Sequence, residues 1–250
     1  MNPKILAVIP ARMASQRFPG KPLALIAGKP MIEHVVERCR QAQRPDHLLV
    51  ATDSEEIIRA CEKIGCEALL TSKDHPSGLD RVREVAERLK HYDFYLNVQG
   101  DEPLMAAETI DAVADGLLSG KCSIATAALP IDNLEDYENP NVVKVVLDHQ
   151  NRALYFSRSP IPYFRNKNPN FRPLKHLGIY GYSRDILLKT RDLEPSPLEE
   201  IEGLEQLRFL CAGLAIQVVL VSHDSRGVDV PEDIGYVERL LEKIHGKTRI

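Results

Sequence analysis

The feature that most limits the fold of this chain is the alternation of strand-like and helix-like segments through its first half. Apolar, β-rich runs occupy residues 5–9, 47–51, 67–70, 94–98 and 123–129. Helical stripes lie between them. The first begins near Pro30 and carries Met31, Ile32, Val35, Val36 and Cys39; the second carries Ile57, Ile58, Cys61 and Ile64. Residues 79–89 and 108–118 supply two more. Strands that take turns with helices read as right-handed crossover units, which give a mostly parallel sheet with helices on both faces. Asp53 reads as the cap of the second helix, with Glu56 three residues on as its reciprocal partner.

The second half is patterned differently. Residues 142–147 and 153–157 read as a hairpin around 148–151, and 175–182 as a strand. Residues 160–173, rich in Pro, Asn and Arg, read as a loop. Helical patterns follow at 184–190 and 198–212, then a strand at 215–221 and a helix at 232–244 with Pro231 at its first turn. No linker, repeat or low-complexity stretch interrupts them. The expected architecture is α/β: a mostly parallel mixed sheet flanked by helices. We expect a single domain over residues 1–250, with a smaller antiparallel β lobe inserted at approximately 130–185.

A net charge of -4 gives no global field that would gather nucleic acid or an anionic membrane. No apolar run approaches the roughly 18 residues needed to span a bilayer. Lys4 leads straight into the first strand without a signal-peptide pattern, so a cytoplasmic location without stable membrane insertion is expected. The cysteines, Cys39, Cys61, Cys66, Cys122 and Cys211, are odd in number and form no CxxC pair, so reduced thiols are expected.

Against this acidic balance the loop after the first strand stands out, with Arg12, Arg17 and Lys21 beside Gly20. Open α/β sheets bind ligands at the carboxyl ends of their strands. Cations there offer charge-assisted donors to phosphate oxygens, and a glycine lets the backbone come close. Asp101 and Glu102 follow the strand at 94–98, and Asp229 precedes the last helix. An isolated Asp in such a place would be a helix cap. Opposite a cationic loop, Asp101 and Asp229 read instead as ligands of a magnesium ion shared with substrate phosphates. Glu232 and Asp233 read as first-turn residues that complement a helix dipole. Ser77 and Gly78 open the helix at 79–89. They read equally as contacts for a base or ribose and as a simple N-cap, with Arg81 a surface charge.

Nine blocks occur in order: IPARMASQRFPGKPL, VATD, SGLDR, LNVQGDEP, NPNVVKVV, ALYFSRSPIP, HLGIYGY, PSPLEEIEGLEQLR and GVDVPED. Through them the chain resembles the sugar-acid cytidylyltransferases over essentially its whole length, above all those acting on 3-deoxy-D-manno-octulosonate (Kdo). The resemblance implies the nucleotide-diphosphosugar transferase type of fold and a homodimer. It also implies transfer of CMP from CTP to the anomeric hydroxyl of Kdo, giving CMP-Kdo and pyrophosphate for lipopolysaccharide synthesis.

Residue by residue, the resemblance puts Arg12 and Lys21 on the CTP phosphates, with Ser15 and Arg17 in the same loop. Asp101 and Asp229 would hold magnesium on the nucleotide, and together with Arg12 and Lys21 they form the implied catalytic set. Gln99, Arg158, His176, Tyr180, Glu205 and Gln206 would surround the sugar acid. Leu79 and Val230 depart from the pattern, since the family commonly has Thr at both places. A sialic acid or the 8-amino analogue of Kdo would call for much the same nucleotide blocks. HLGIYGY and LEQLR favour a Kdo-type acid over a sialic acid. A non-catalytic nucleotide sensor on this fold is expected to lack Lys21, Asp101 or Asp229, and all three are present.

Overall fold

The computed structural model describes residues 3–14, 17–166, 168 and 170–247. The chain divides into two compact units, Met1–Asp111 with Asp224–Ile250, and Ala112–His223. The first unit starts with β1 (Ile5–Ala11), a 3-10 turn (Lys21–Leu23), β2 (Leu25–Ile26), β3 (Lys29–Pro30) and α1 (Met31–Gln41). Then come β4 (His47–Thr52), α2 (Glu55–Lys63), β5 (Ala68–Leu70), α3 (Gly78–Arg88), β6 (Phe94–Asn97) and α4 (Ala107–Leu118), within which the division falls.

Its strands pair in the order β6-β1-β4-β5, all parallel. A central parallel strand is covered on both faces, which is why residues 5–9 form an unbroken apolar run; none is more than 2% exposed. β1 runs two residues further than expected because Pro10 and Ala11 still lie opposite Ala51 and Thr52 of β4. The basic loop therefore begins at Arg12.

The start of α2 differs from expectation. Ser54, not Asp53, is the cap: its side chain accepts from the Glu56 amide at 3.2 Å. Asp53 is unavailable because its carboxylate pairs with Arg81 at 2.9 Å. Arg81 is correspondingly not a surface charge; it is 2% exposed. All five cysteines are free; Cys39 and Cys61 are buried, as the helical stripes suggested, and so is Cys66. Burial pushes the Cys61 thiol up to about 12.

The second unit contains β7 (Ile124–Pro130), α5 (Leu134–Glu138), β8 (Lys144–Leu147), β9 (Ala153–Ser157) and β10 (Leu174–Ser183). It continues through α6 (Arg184–Lys189), α7 (Pro197–Glu202), α8 (Gln206–Cys211) and β11 (Ile216–Leu220). β7 lies between a parallel β11 and an antiparallel β10, and the expected β8–β9 hairpin is antiparallel. Asp148 closes the hairpin by accepting from the amides of Gln150 and Arg152, each at 2.8 Å.

The helix expected over 198–212 is broken. Gly203 takes a left-handed φ of 62° that ends α7, and α8 starts afresh at Gln206. The short α5 has no counterpart in the sequence reading; Asn133 caps it by accepting from the Asp136 amide at 2.7 Å. Lys144 is wholly buried, and its amine donates to the carbonyl oxygens of Asn139, Val142 and Arg158 at 2.9, 2.6 and 2.6 Å. Desolvation lowers its pKa.

The chain then returns to the first unit as α9 (Asp233–Lys247). Pro231 and Glu232 form the turn before this helix rather than its first turn. Among the described residues no helix is long and apolar enough to cross a membrane.

Lys144→Met would leave three carbonyls without their donor. We expect it to lower unfolding stability by roughly 2–4 kcal/mol, measured as a shift in the urea midpoint. A change below about 0.5 kcal/mol would show that the amine is dispensable.

Candidate active site

The carboxyl ends of β1 and β6 open onto a cavity of about 850 Å³ within the first unit. One wall is the basic loop. Gly20 adopts φ 73°, a conformation that needs glycine, and its amide donates to Met13 O at 3.0 Å. This fold brings Arg12, Arg17 and Lys21 to the cavity. Ser15 lies outside the described residues.

The facing wall carries the carboxylates. Lys21 Nζ lies 2.5 Å from Asp101 Oδ2 and donates to Val228 O at 3.0 Å. Arg17 Nη2 reaches Asp229 Oδ1 at 2.8 Å, but both side chains are more than half exposed, so this pair contributes little to stability. The turn bearing Asp101 is pressed against β1. A Cβ on Gly100 would lie 2.6 Å from Pro10 O, so this position accepts only glycine.

Hydrogen bonds join the turn to the returning chain. Val228 N donates to Asp101 O at 2.8 Å, and Ser225 Oγ donates to the Glu102 carboxylate. Asp233 fixes the other carboxylate by accepting from the amides of Asp229 and Val230 at 2.9 and 3.1 Å. Behind both walls, Ile26, Met31, Leu104, Val228, Val237 and Leu241 form an apolar cluster that also receives Phe18 of the loop.

The third wall is Pro76, Ser77 and Gly78. Ser77 caps α3 by accepting from Asp80 N at 3.3 Å, and it donates to Asp80 Oδ2 at 2.9 Å. Ser77 is thus a cap and a cavity wall at once. Leu79 points into the core at 3% exposure, where a Thr hydroxyl would have needed a partner.

The cavity therefore gathers Arg12, Arg17, Lys21, Ser77, Gly78, Gln99, Asp101 and Asp229 from the sequence reading. It adds Arg81, which that reading missed. Its burial among Leu79, Val82, Val85 and Ala86 goes with the pairing to Asp53, which a helical period does not show.

The second unit holds the remaining candidates. His176 and Tyr180 share one face of β10, with ring centroids 5.4 Å apart. His176 Nε2 lies 3.0 Å from Thr126 Oγ1, and the Phe156 ring meets the imidazole edge-on at 5.0 Å. Desolvation pushes the His176 pKa down to about 3. The Tyr180 hydroxyl is buried without a hydrogen-bond partner close enough to hold it, and neighbouring Thr126 donates to Ile179 O at 2.7 Å. Desolvation first, and the Glu205 carboxylate second, raise the Tyr180 pKa well above its ordinary value. Glu205 stands at the cap position of α8, and Gln206 is its first, buried residue.

Arg158 differs from the others because its guanidinium already serves the backbone. It donates to the carbonyls of Glu202, Pro140 and Gly203 at 2.7, 3.0 and 3.5 Å. Glu202 in turn accepts from the Arg158 amide at 2.9 Å and from Ser157 Oγ at 2.6 Å.

The cytidylyltransferase family model matches residues 6–218. The chain belongs to this family. A 3-deoxy-manno-octulosonate cytidylyltransferase of Syntrophobacter fumaroxidans is 50% identical over 244 residues, covering 95% of this chain and 97% of the relative. The protein of the same name from Thermodesulfovibrio yellowstonii is 46% identical over 248 residues, covering 94% and 97%. A solved CMP:2-keto-3-deoxy-manno-octonic acid synthetase complexed with CTP matches with a TM-score of 0.91 at 41% identity. That match covers 96% of this chain and 99% of the other. The expected fold class, α/β with a mostly parallel mixed sheet flanked by helices, is the family's own.

The buried imidazole has a consequence for acid stability. His176 is neutral in the fold, whereas in the unfolded chain it takes a proton below its ordinary value of 6.5. Stability is therefore fully present above pH 6.5 and is lost as pH falls toward 3, by up to about 1.4 kcal/mol per pH unit. Urea midpoints followed through this window should show the slope in the unaltered protein and a flatter one in His176→Gln. Equal slopes would assign the acid sensitivity elsewhere.

Proposed function

We propose that this cytidylyltransferase transfers CMP from CTP to Kdo, forming CMP-Kdo and releasing pyrophosphate. The observation that carries the reading is the cavity at the strand ends, where Arg12, Arg17 and Lys21 face Asp101 and Asp229. The activity named for relatives about half identical over nearly the whole chain supports the choice of substrates.

The chemistry follows from the residues. The anomeric hydroxyl of the sugar acid attacks the α-phosphorus in line, and the bond to the β-phosphate oxygen breaks. Such a transfer asks a protein for positioning and charge neutralisation rather than for a nucleophile. Arg12 and Lys21 hold the triphosphate and neutralise the charge that builds on the departing pyrophosphate. Gly100 keeps the backbone low, so that the Asp101 carboxylate stands over the end of β1.

The donor set suits a magnesium ion. Asp101 and Asp229 offer hard oxygen ligands on one cavity and do not form a closed cage, which matches an ion that completes its shell with phosphates and water. When bound, magnesium supplies charge neutralisation on the phosphates and lowers the pKa of an attacking hydroxyl. Lys21 and Arg17 pair with those two carboxylates; the exposed Arg17 can turn to the phosphates, while Lys21 meets them from its place beside Asp101.

For the sugar acid we assign Gln99, Arg158, His176, Tyr180, Glu205 and Gln206. The unpartnered Tyr180 hydroxyl calls for a hydrogen-bonding ligand. Neutral His176 keeps a fixed orientation against Thr126. Glu205 and Gln206 suit sugar hydroxyls, and Arg158 contributes Nη2, whose contact to Gly203 O is the loosest of its three. A cytoplasmic homodimer serving lipopolysaccharide synthesis belongs to the same proposal. Exposed Tyr163, Phe164 and Phe171 support a partner surface on the smaller lobe.

The test is pyrophosphate release from CTP and magnesium with Kdo, 8-amino-Kdo and N-acetylneuraminate in parallel. Release with Kdo supports the proposal; release only with another acid, or with none, overturns it. Lys21→Met should lower kcat on the order of a hundredfold, and because it also removes the donor shared by Asp101 and Val228 O it should lower the thermal midpoint, so turnover is read at a temperature where the variant is folded. Near-normal turnover would remove Lys21 from the mechanism.

A further inference from the structure

The Pro76–Gly78 wall is held from behind by a charged face of α3. Positions 81, 84 and 88 fall on one side of the helix. Arg81 donates to Asp53 Oδ2 at 2.9 Å, to Ser72 O at 3.2 Å and to Thr71 Oγ1. Its backbone amide reaches Ser77 O at 3.4 Å. One residue thus grips both ends of the connection from Thr71 to Ser77. Glu84 accepts from the Ser72 amide at 2.9 Å and from His75 Nε2 at 2.6 Å. Arg88 steadies Glu84 at 3.1 Å and donates to Leu70 O at 2.6 Å.

This network is anchored to the sheet. Thr71 Oγ1 donates to Thr52 O at 3.0 Å, and Asp53 follows the last residue of β4. The Arg81 and Asp53 side chains are 3% and 11% exposed. Desolvation alone would raise the Glu84 pKa, but the Ser72 amide, His75 and Arg88 outweigh it and hold the carboxyl below its ordinary value. A buried ion pair is a poor source of net stability, but its geometry is narrow. Its place here is at the Pro76–Gly78 wall, where Arg81 reaches the cavity lining but its guanidinium is taken up by Asp53, Thr71 and Ser72.

We infer that Arg81 and Glu84 are positioning residues for the nucleoside of CTP: by fixing Pro76, Ser77 and Gly78 they set nucleotide affinity and base choice. They act by holding the wall, since the Arg81 guanidinium and the Glu84 carboxylate are engaged by residues of the 71–77 connection and by Asp53. Hydrogen bonds from within the protein order the 71–77 connection, and such preorganisation lowers the entropy cost of binding. The inference rests on the cytidylyl-transfer reading and adds a role that transfer itself does not require.

Glu84→Ala is the first variant, because Glu84 is partly exposed and its loss leaves the Arg81–Asp53 pair intact; Arg81→Lys is the second. Calorimetry should show CTP bound about tenfold more weakly by Glu84→Ala, with a smaller preference for CTP over UTP. Inorganic triphosphate affinity, the KM for the sugar acid and kcat at saturating CTP should stay within about twofold, a change of under half a kcal/mol in binding terms. Arg81→Lys should weaken CTP binding in the same direction.

CTP affinity unchanged in the folded Glu84→Ala protein would overturn the inference. So would a parallel loss of CTP and triphosphate binding, which marks a general structural role. If the unaltered protein released no pyrophosphate with any sugar acid, the transfer reading would fall, and the CTP, UTP and triphosphate titrations would still decide this one.

Discussion

The amine of Lys21 sits between the Asp101 carboxylate and the carbonyl of Val228, partners 80 and 207 positions away in sequence. Around that one nitrogen the basic loop, the turn after β6 and the returning chain are brought to a common edge. Its side chain is only 13% exposed, so the attraction to Asp101 is less screened by water than the neighbouring Arg17–Asp229 pair. The two pairs divide the work by depth. The inner one fixes the frame; the outer one leaves its charges accessible to an incoming anion.

Polar contacts alone would not hold three loops in register. Phe18, Leu104 and Val228 come from the three segments that carry Lys21, Asp101 and Asp229, and all three enter one apolar cluster with Val237 and Leu241 of α9. Burying such side chains contributes roughly 1.5–3 kcal/mol each, more than an exposed ion pair supplies. Each charged residue thus stands within three positions of an apolar anchor. The sharp approach at Gly100 then sets how far Asp101 can move.

The alternation of strands and helices was readable because a covered parallel strand and a one-sided helix have different apolar periods, and β1, β4, α1 and α3 show them cleanly. The cation–carboxylate edge followed from where parallel strands end. What escaped was decided by long-range partners. Asp53 has the chemistry of a cap, yet a buried arginine 28 positions away claims it, and Ser54 takes its place. Arg81 looked like surface charge because a single arginine between buried positions gives no periodic signal. The run at 198–212 has a helical period on both sides of Gly203, and only the left-handed turn there shows two helices. Arg158 suits a carboxylate by type, while the carbonyls it serves could not be seen without the hairpin and α7 in place.

The two-part make-up of the first unit sets an order of events during synthesis. Val228 and Asp229 belong with residues near the start of the chain, yet all of Ala112–His223 is translated in between. A nascent chain therefore carries the cationic loop and Asp101 long before the carbonyl that completes the Lys21 site exists. Until residue 228 is made, Phe18 and Leu104 lack Val228 as a packing partner. A product of premature termination within the later unit would keep the basic loop but lack Val228 and Asp229, so one face of the cavity would be missing from it.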